Sequence, residues 1–250
     1  MINLKFINSL TYPYSKDAMK GFTIVIPVYN EEDIIVKNTD KLVKYLEMID
    51  KNFEIIAVSN GSTDRTVEIG KELEKKYPRK FKILSIPEKG HVGFAFREGV
   101  KKSSYDKIIS VDMDLSINLN FIPKCVKLLD ENSIVVGAKK VGGQKRKLFR
   151  TFASNTFIAL AKIILGLEYE DYSMAAKGYR KKDIFRYLKY VDKGSAYVFE
   201  LIHWINQENK SIVQIPTSCH DMRKSKFNII DESLYRLRNL ITLWLFKRLR

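Results

Sequence analysis

Two carboxylates, Asp112 and Asp114, stand two residues apart directly after the apolar, β-branched run Ile108-Ile109-Ser110-Val111. Such a run reads as a buried strand. Side chains at i and i+2 of an extended backbone point to the same side, and where a strand ends they can converge on one hard divalent cation. A cation held there can neutralise a diphosphate leaving group. Taken alone, an acidic pair at a strand end is more often a solvated loop start than a metal site, so its meaning depends on the rest of the chain.

Composition narrows the partner. Among 250 residues, 44 Lys and Arg against 29 Asp and Glu leave a formal charge of +15, which implies an anionic partner. Nucleic acid, an anionic membrane surface and phosphorylated substrates all qualify, but no zinc-finger, RNP or helix-turn-helix pattern supports nucleic acid. Cys125 and Cys219 lie far apart without a C-x-x-C spacing, which argues against a disulfide framework or zinc site and for a reducing compartment. Lys5, Asn8, Ser9 and Tyr12-Pro13-Tyr14 interrupt any signal-peptide core at the N-terminus. The apolar stretch Leu240 to Phe246 falls far short of the ~20 residues a membrane-spanning helix needs, so no spanning segment is expected.

The elements that must position the acidic pair alternate. Residues 22–28, 53–58 and 81–86 read as strands, each followed by helical spacing, at 31–49, 66–77 and 93–102, before the strand that leads into Asp112. That alternation predicts a parallel, doubly wound sheet, in which ligands bind at the carboxyl ends of the strands. The turns Tyr29-Asn30-Glu31, Ser59-Asn60-Gly61-Ser62 and Asp112-Met113-Asp114 would then share one edge. A helix at 121–131 and a short strand at 133–137 follow, then a basic segment from Lys139 to Arg150. Helices are predicted at 152–165, 181–189 and 197–208, with a strand at 211–215 ended by Pro216. With no repeat, low-complexity stretch or linker, 1–250 reads as one domain: a nucleotide-binding half at about 22–110, a metal and acceptor half at 111–229 and a helix at 230–250.

In series, VIPVYNEE (25–32), NGSTDRT (60–66), DMDLS (112–116) and RKSK (223–226) resemble the inverting nucleotide-sugar glycosyltransferases of family 2. The resemblance spans roughly residues 22–235. It implies the GT-A fold, an α/β, Rossmann-like, mainly parallel sheet sandwiched by helices, here with a C-terminal amphipathic helix. The later segments are similar to dolichyl- and polyprenyl-phosphate sugar synthases such as dolichol-phosphate mannose synthase. These are FIPK (121–124), Arg150 with Ser154, Asp171 ahead of KKD (181–183), YVFE (197–200) and IVQIP (212–216). The run Gly93-x-Ala95-x-x-x-Gly99 matches the family's small-residue pattern before the D-x-D strand.

By this resemblance, Pro27, Tyr29 and Glu31 surround the nucleoside, with Val58, Asn60 and Met113 in the same donor pocket. On the residues alone, that first segment is also a helix start capped by Asn30, with Glu31 and Glu32 favouring the helix dipole. Asp112 faces ribose and metal, Asp114 binds Mg²⁺ or Mn²⁺ directly, and Ser116 stands where a further oxygen ligand can come from. The family usually carries an aspartate pair where this chain has Ser59-Asn60, so nucleotide identity does not carry across. Asp64 suits a helix cap as well as a ligand contact. Lys139, Arg150 with Ser154, and Arg223 with Ser225 and Lys226 would bind donor or acceptor phosphates. Asp114, Asp171 and Arg150 are the catalytic candidates, with Glu200 second to Asp171 as a base. His91 and His203 take no role; some GT-A enzymes place a late histidine on the metal, but in the polyprenyl-phosphate branch that role is not expected of His220.

The implied reaction moves a hexose from GDP-mannose or a UDP-sugar to a polyprenyl or dolichyl phosphate with inversion. A phosphate acceptor is already ionised and needs positioning more than a base, whereas a sugar hydroxyl would need one. A glycan or surface-polysaccharide acceptor and an inactive relative are the alternatives. The basic tail, with Leu234, Leu237, Leu240, Ile241, Trp244 and Leu245 on a broad apolar side, suits either an anionic membrane surface or packing on the domain or a second subunit. Peripheral association with the cytoplasmic membrane face, with a possible membrane subunit, is the matching expectation.

Overall fold

The computed structural model describes residues 21–87, 91–139, 148–172, 174–219 and 229–248. Seven strands form one sheet: β1 (Phe22–Val28), β2 (Phe53–Asn60), β3 (Phe81–Ile86), β4 (Lys107–Ser110), β5 (Ile134–Lys139), β6 (Lys177–Arg180) and β7 (Ile212–Thr217). The helices are α1 (Ile35–Ile49), α2 (Thr66–Lys76), α3 (Val92–Lys102), α4 (Phe121–Leu128), α5 (Leu148–Leu165), α6 (Lys181–Ile184), α7 (Tyr197–Gln207) and α8 (Ile229–Arg248).

Strand order is β3-β2-β1-β4-β6-β5-β7. The first four neighbours are parallel and in register, with Phe22 opposite both Phe53 and Lys107. A central strand covered on both faces must be apolar throughout, and β1 meets that condition with Phe22, Ile24, Val25, Ile26 and Val28 all buried. Ile24 and Ile26 pack with Leu42, Leu46, Ile55, Ile109 and Met113 in one core layer. Val25 points the other way, into a layer with Phe96, Ile108, Tyr179, Phe199 and Leu240. The alternation of the strand thus divides the core between two helix layers.

The sheet is mainly parallel, as expected, but β6 was not foreseen. It runs antiparallel between β4 and β5. Four residues, KGYR, are too few and too basic to show a strand period, and only the fully buried Lys177 and Tyr179 reveal the environment. Smaller differences concern boundaries. The helix expected from Glu31 begins at Ile35, and Asn30 does not cap it, because Asn30 sits at φ 51° and directs its side chain across to the next turn. The predicted helix at 181–189 is one turn, α6, continued by a 3-10 turn at Phe185–Tyr187. The helix expected from 152 already begins at Leu148, and the one expected to 131 ends at Leu128. On α8, Leu240 and Leu243 are buried while Leu234, Ile241 and Leu245 are exposed, so one face packs on the fold and the other does not.

Gly178 lets α4 close on β6. A Cβ there would collide with the buried Cys125 sulfur and crowd Leu129. Gly178→Ala should therefore destabilise the protein by about 1–3 kcal/mol through overpacking. Cys125→Ala in the same chain should return part of that loss, as read from urea midpoints; purely additive costs of the two substitutions would contradict the contact.

Candidate active site

The turns after β1 and β2 are joined by short polar side chains. The Thr63 amide donates to Asn30 Oδ1 at 2.8 Å and Asn30 Nδ2 donates to Thr63 Oγ1 at 3.2 Å. The Asn30 amide donates to Ser62 Oγ at 3.1 Å, which also accepts from Ser59 Oγ at 2.9 Å. The Glu31 amide donates to Thr66 Oγ1 at 2.8 Å. These bonds demand an Asn at φ 51° and a Gly61 at φ 77°, backbone conformations those residue types tolerate. Asp64 receives the Thr66 and Glu32 amides at 3.0 and 3.1 Å. Partial burial works against its ionisation, yet the hydrogen bonds from Thr66 and Glu32 outweigh it and hold the carboxyl below its usual range. Asp64 thereby braces the turn after β1 against the start of α2.

The third turn joins them through α1. Asn38 Nδ2 donates to the Met113 carbonyl at 2.9 Å. Met113 is buried, which anchors the turn while leaving Asp112 exposed and Asp114 half-buried on either side. The Ser116 amide donates to Asp114 Oδ1 at 3.0 Å, orienting that carboxylate, and Leu115 at φ 49° turns the chain away. The segment after β7 closes over this loop: Ile117 bridges Cys219, the Asn118 amide donates to the Ser218 carbonyl at 3.0 Å, and Cys219 Sγ lies 3.7 Å from Ser116 Oγ. Among the described residues no group of three His, Cys, Asp or Glu side chains is arranged to hold a metal. Asp112 and Asp114 suit a hard cation as an oxygen pair that leaves its other positions to diphosphate and water.

Asp171 is nearly buried, accepts the Met174 amide at 2.8 Å on Oδ1, and has the fully buried Lys177 ammonium 3.8 Å away. Lys177 in turn donates to the Met174 carbonyl at 2.8 Å and stands opposite Ser110, two residues before Asp112. Its importance was not legible in the sequence, since a lysine within a basic run normally signals a solvated face. Asn38, Ser62, Thr63 and Thr66 were missed likewise, as nothing local marks a polar turn or helix residue as a cross-turn partner.

Glu200 on α7 lies under a strap at 192–195. It accepts the Asp192 amide at 2.5 Å, while Tyr235 of α8 donates to Asp192 Oδ1 at 2.5 Å. The strap carbonyls press on Gly93, and the Phe94 amide donates to the Lys193 carbonyl at 2.8 Å. Burial pushes the Glu200 carboxyl up to about 7, and the nearby Asp192 carboxylate adds to the shift.

Pro27, Tyr29, Glu31, Val58, Asn60, Asp112, Met113, Asp114 and Ser116 therefore all lie on strand ends or turns at the carboxyl edge. Lys139 ends β5 opposite Thr217, and Arg150 and Ser154 are one turn apart on α5. Arg223, Ser225, Lys226 and His220 lie outside the described residues. His91 precedes α3 and His203 is buried within α7.

The glycosyl transferase family 2 model matches residues 23–188. The chain belongs to that family. Among similar sequences is the undecaprenyl-phosphate 4-deoxy-4-formamido-L-arabinose transferase of Pectobacterium carotovorum, 30% identical over 166 residues, which are 66% of this chain and 50% of that protein. The transferase of the same name from Photorhabdus laumondii is 26% identical over 167 residues, 67% of this chain and 51% of that protein. The family 2 chain thus spans about half the length of the curated relatives it matches. Among solved structures, glucosyl-3-phosphoglycerate synthase from Mycobacterium tuberculosis, in complex with Mn²⁺ and UDP-glucose, superposes with a TM-score of 0.66 at 15% identity, covering 93% of this chain and 84% of the other. A second structure of that enzyme, with phosphoglyceric acid, gives 0.64 at 19% identity over 89% and 79%. The fold is GT-A.

The Glu200 proton gives the fold a pH signature. An unfolded chain releases it near 4.5 and the folded protein near 7, so the folded state holds the extra proton between those values. Stability should fall as pH rises through that window, by up to about 3 kcal/mol, and level off above it. Urea unfolding at about pH 5 and about pH 8 should show a markedly smaller pH loss in Glu200→Gln than in the wild type; equal losses would contradict the assignment.

Proposed function

We propose that this family 2 chain transfers a sugar from a nucleotide sugar to a polyprenyl phosphate, with inversion and with a divalent cation, Mg²⁺ or Mn²⁺. The observation that carries the reading is that the Asp112-Met113-Asp114 turn, tied to α1 by Asn38, shares one sheet edge with the two earlier turns, which Asn30, Thr63 and Thr66 join to each other. The names of the curated relatives support the acceptor, and the ligands of the solved neighbours support the donor and metal. Pro27, Tyr29, Glu31, Val58 and Asn60 hold the nucleoside, while Asp112 and Asp114 hold the cation, with Met113 anchoring the turn and Ser116 behind it. The cation, when bound, offsets charge on the departing diphosphate.

The residues position rather than transfer protons. A phosphate oxygen of the acceptor attacks the anomeric carbon as its bond to the donor diphosphate breaks, and the electron pair leaves with the nucleoside diphosphate. An ionised phosphate has no proton to surrender, so no base is required. That agrees with Asp171, whose Oδ1 is already engaged by an amide in a buried pair with Lys177. Lys139, Arg150 with Ser154, and Arg223 with Ser225 and Lys226 offset the repulsion between acceptor and donor phosphates. Among the described residues no helix is long and apolar enough to cross a membrane. Exposed Leu234, Ile241 and Leu245 beside the basic residues of α8 suit a helix lying on an anionic surface, at the cytoplasmic membrane face.

The test is transfer itself. With Mn²⁺, polyprenyl phosphate and a radiolabelled UDP- or GDP-sugar, label should pass into the organic phase, and Asp114→Ala should lower the rate by roughly 100-fold or more while leaving thermal unfolding unchanged. Label reaching a glycan but never the lipid would overturn the acceptor.

A further inference from the structure

The strap at 192–195 is tied to α8 on one side and rests on a carboxyl group on the other. Glu200 lies beneath it, only 8% exposed, and accepts the Asp192 amide at 2.5 Å. The Asp192 carboxylate belongs to the strap itself, accepting the Ala196 amide at 3.1 Å on one oxygen and the Tyr235 hydroxyl at 2.5 Å on the other. Tyr235 is on α8, and its hydroxyl oxygen lies so close to Gly194 that a Cβ there would stand 2.5 Å from it. A second tie runs beside the first. Ser195 and Arg236 both donate to the Glu232 carboxylate, and Arg236 Nε donates to Ser195 Oγ at 3.2 Å. Asp192 and Ser195 thus hold the start of α8 to the strap, and Glu200 holds the strap to α7.

The charged groups on the surrounding elements are engaged elsewhere. Arg97 of α3 and Lys193 of the strap lie over the Phe94 ring, and His203 of α7 packs edge-on against Trp204. On α6, Lys181 donates to the Ser103 carbonyl, while Asp183 accepts from Ser133 and Lys210. Glu232 and Arg236 of α8 bond each other. Among the described residues Asp192 alone acts on Glu200 by its charge, and burial together with that like charge favours the protonated carboxyl. A shut strap therefore keeps a proton on Glu200 that an open, hydrated strap would give up. We propose that the strap is a proton-held latch on α8, kept shut by protonated Glu200 and loosened, together with the first turns of α8, when Glu200 ionises. With release near 4.5 in the open state and about 7 in the shut one, ionisation shifts the balance toward opening by up to roughly 300-fold. Because α8 carries the exposed Leu234, Ile241 and Leu245, the latch sets how rigidly that apolar face is fixed to the fold.

Hydrogen exchange of the full chain at about pH 5 and about pH 8, corrected for the intrinsic pH dependence of exchange, reads the latch directly. Between the two, amides of the strap and of 233–240 should lose at least about tenfold more protection than those of α2, which packs on the edge strand β3. In Glu200→Gln, which cannot ionise, that difference should fall below about twofold. Tyr235→Phe keeps Glu200 but removes the tie from α8 to Asp192, so the strap should keep its pH response while α8 loses most of its own; this variant tests the latch if the glutamine variant fails to fold. Equal losses in α2 and α8, no loss in either, or a full α8 response in folded Glu200→Gln or in Tyr235→Phe would overturn the inference.

Discussion

The structure depends on the parallel registration of β1 between β2 and β4. Because all three strands run the same way, their carboxyl ends finish at one edge, and each emits a turn there. The hydrophobic effect sets this arrangement, since a strand with two buried faces is stable only at the centre of a helix-covered sheet. The polar turns inherit their proximity from it. Hydrogen bonds among Asn30, Ser62, Thr63, Thr66 and Asn38 then convert proximity into fixed geometry. The diphosphate site proposed here would need that stiffness, because every freely rotating ligand would lose entropy when the donor arrives.

The division between what was legible and what was not follows from range. Strands β1 to β4 and their helices were legible because their apolar periods are local. The acidic turn was legible because spacing and position coincide at Asp112 and Asp114. By contrast β6 was hidden, since Lys177 and Tyr179 owe their burial to β4, β5 and the layers above them rather than to any pattern in KGYR. The bracing role of Asn38, reached from a helix seventy-five residues away from Met113, was hidden for the same reason. The start of α1 was misplaced because Asn30 bonds to the neighbouring turn, where local rules would have it cap its own helix.

Charge distribution completes the account. The chain carries +15 overall, yet the carboxyl edge of its sheet holds a pair of carboxylates, with Asp112 exposed and Asp114 half-buried. Two like charges so close favour a bound cation strongly, while the surrounding basic excess draws in anionic partners. The cation and the phosphates are thus expected to bind as one unit, each supplying what the other lacks. The strap at 192–195 contacts Gly93 in the first turn of α3 on one side and Tyr235 of α8 on the other, and so links α3 to the helix with the exposed apolar face.

The central claim is that Asp112 and Asp114 form half of a metal site whose other half is the donor diphosphate. Electron paramagnetic resonance of Mn²⁺ titrated into the protein, with and without UDP, measures that interdependence most directly. The account predicts weak Mn²⁺ binding alone and binding at least about tenfold tighter with UDP present, matched by an equal gain for UDP when Mn²⁺ is added, as linkage requires. Mn²⁺ affinity unaffected by UDP would contradict it.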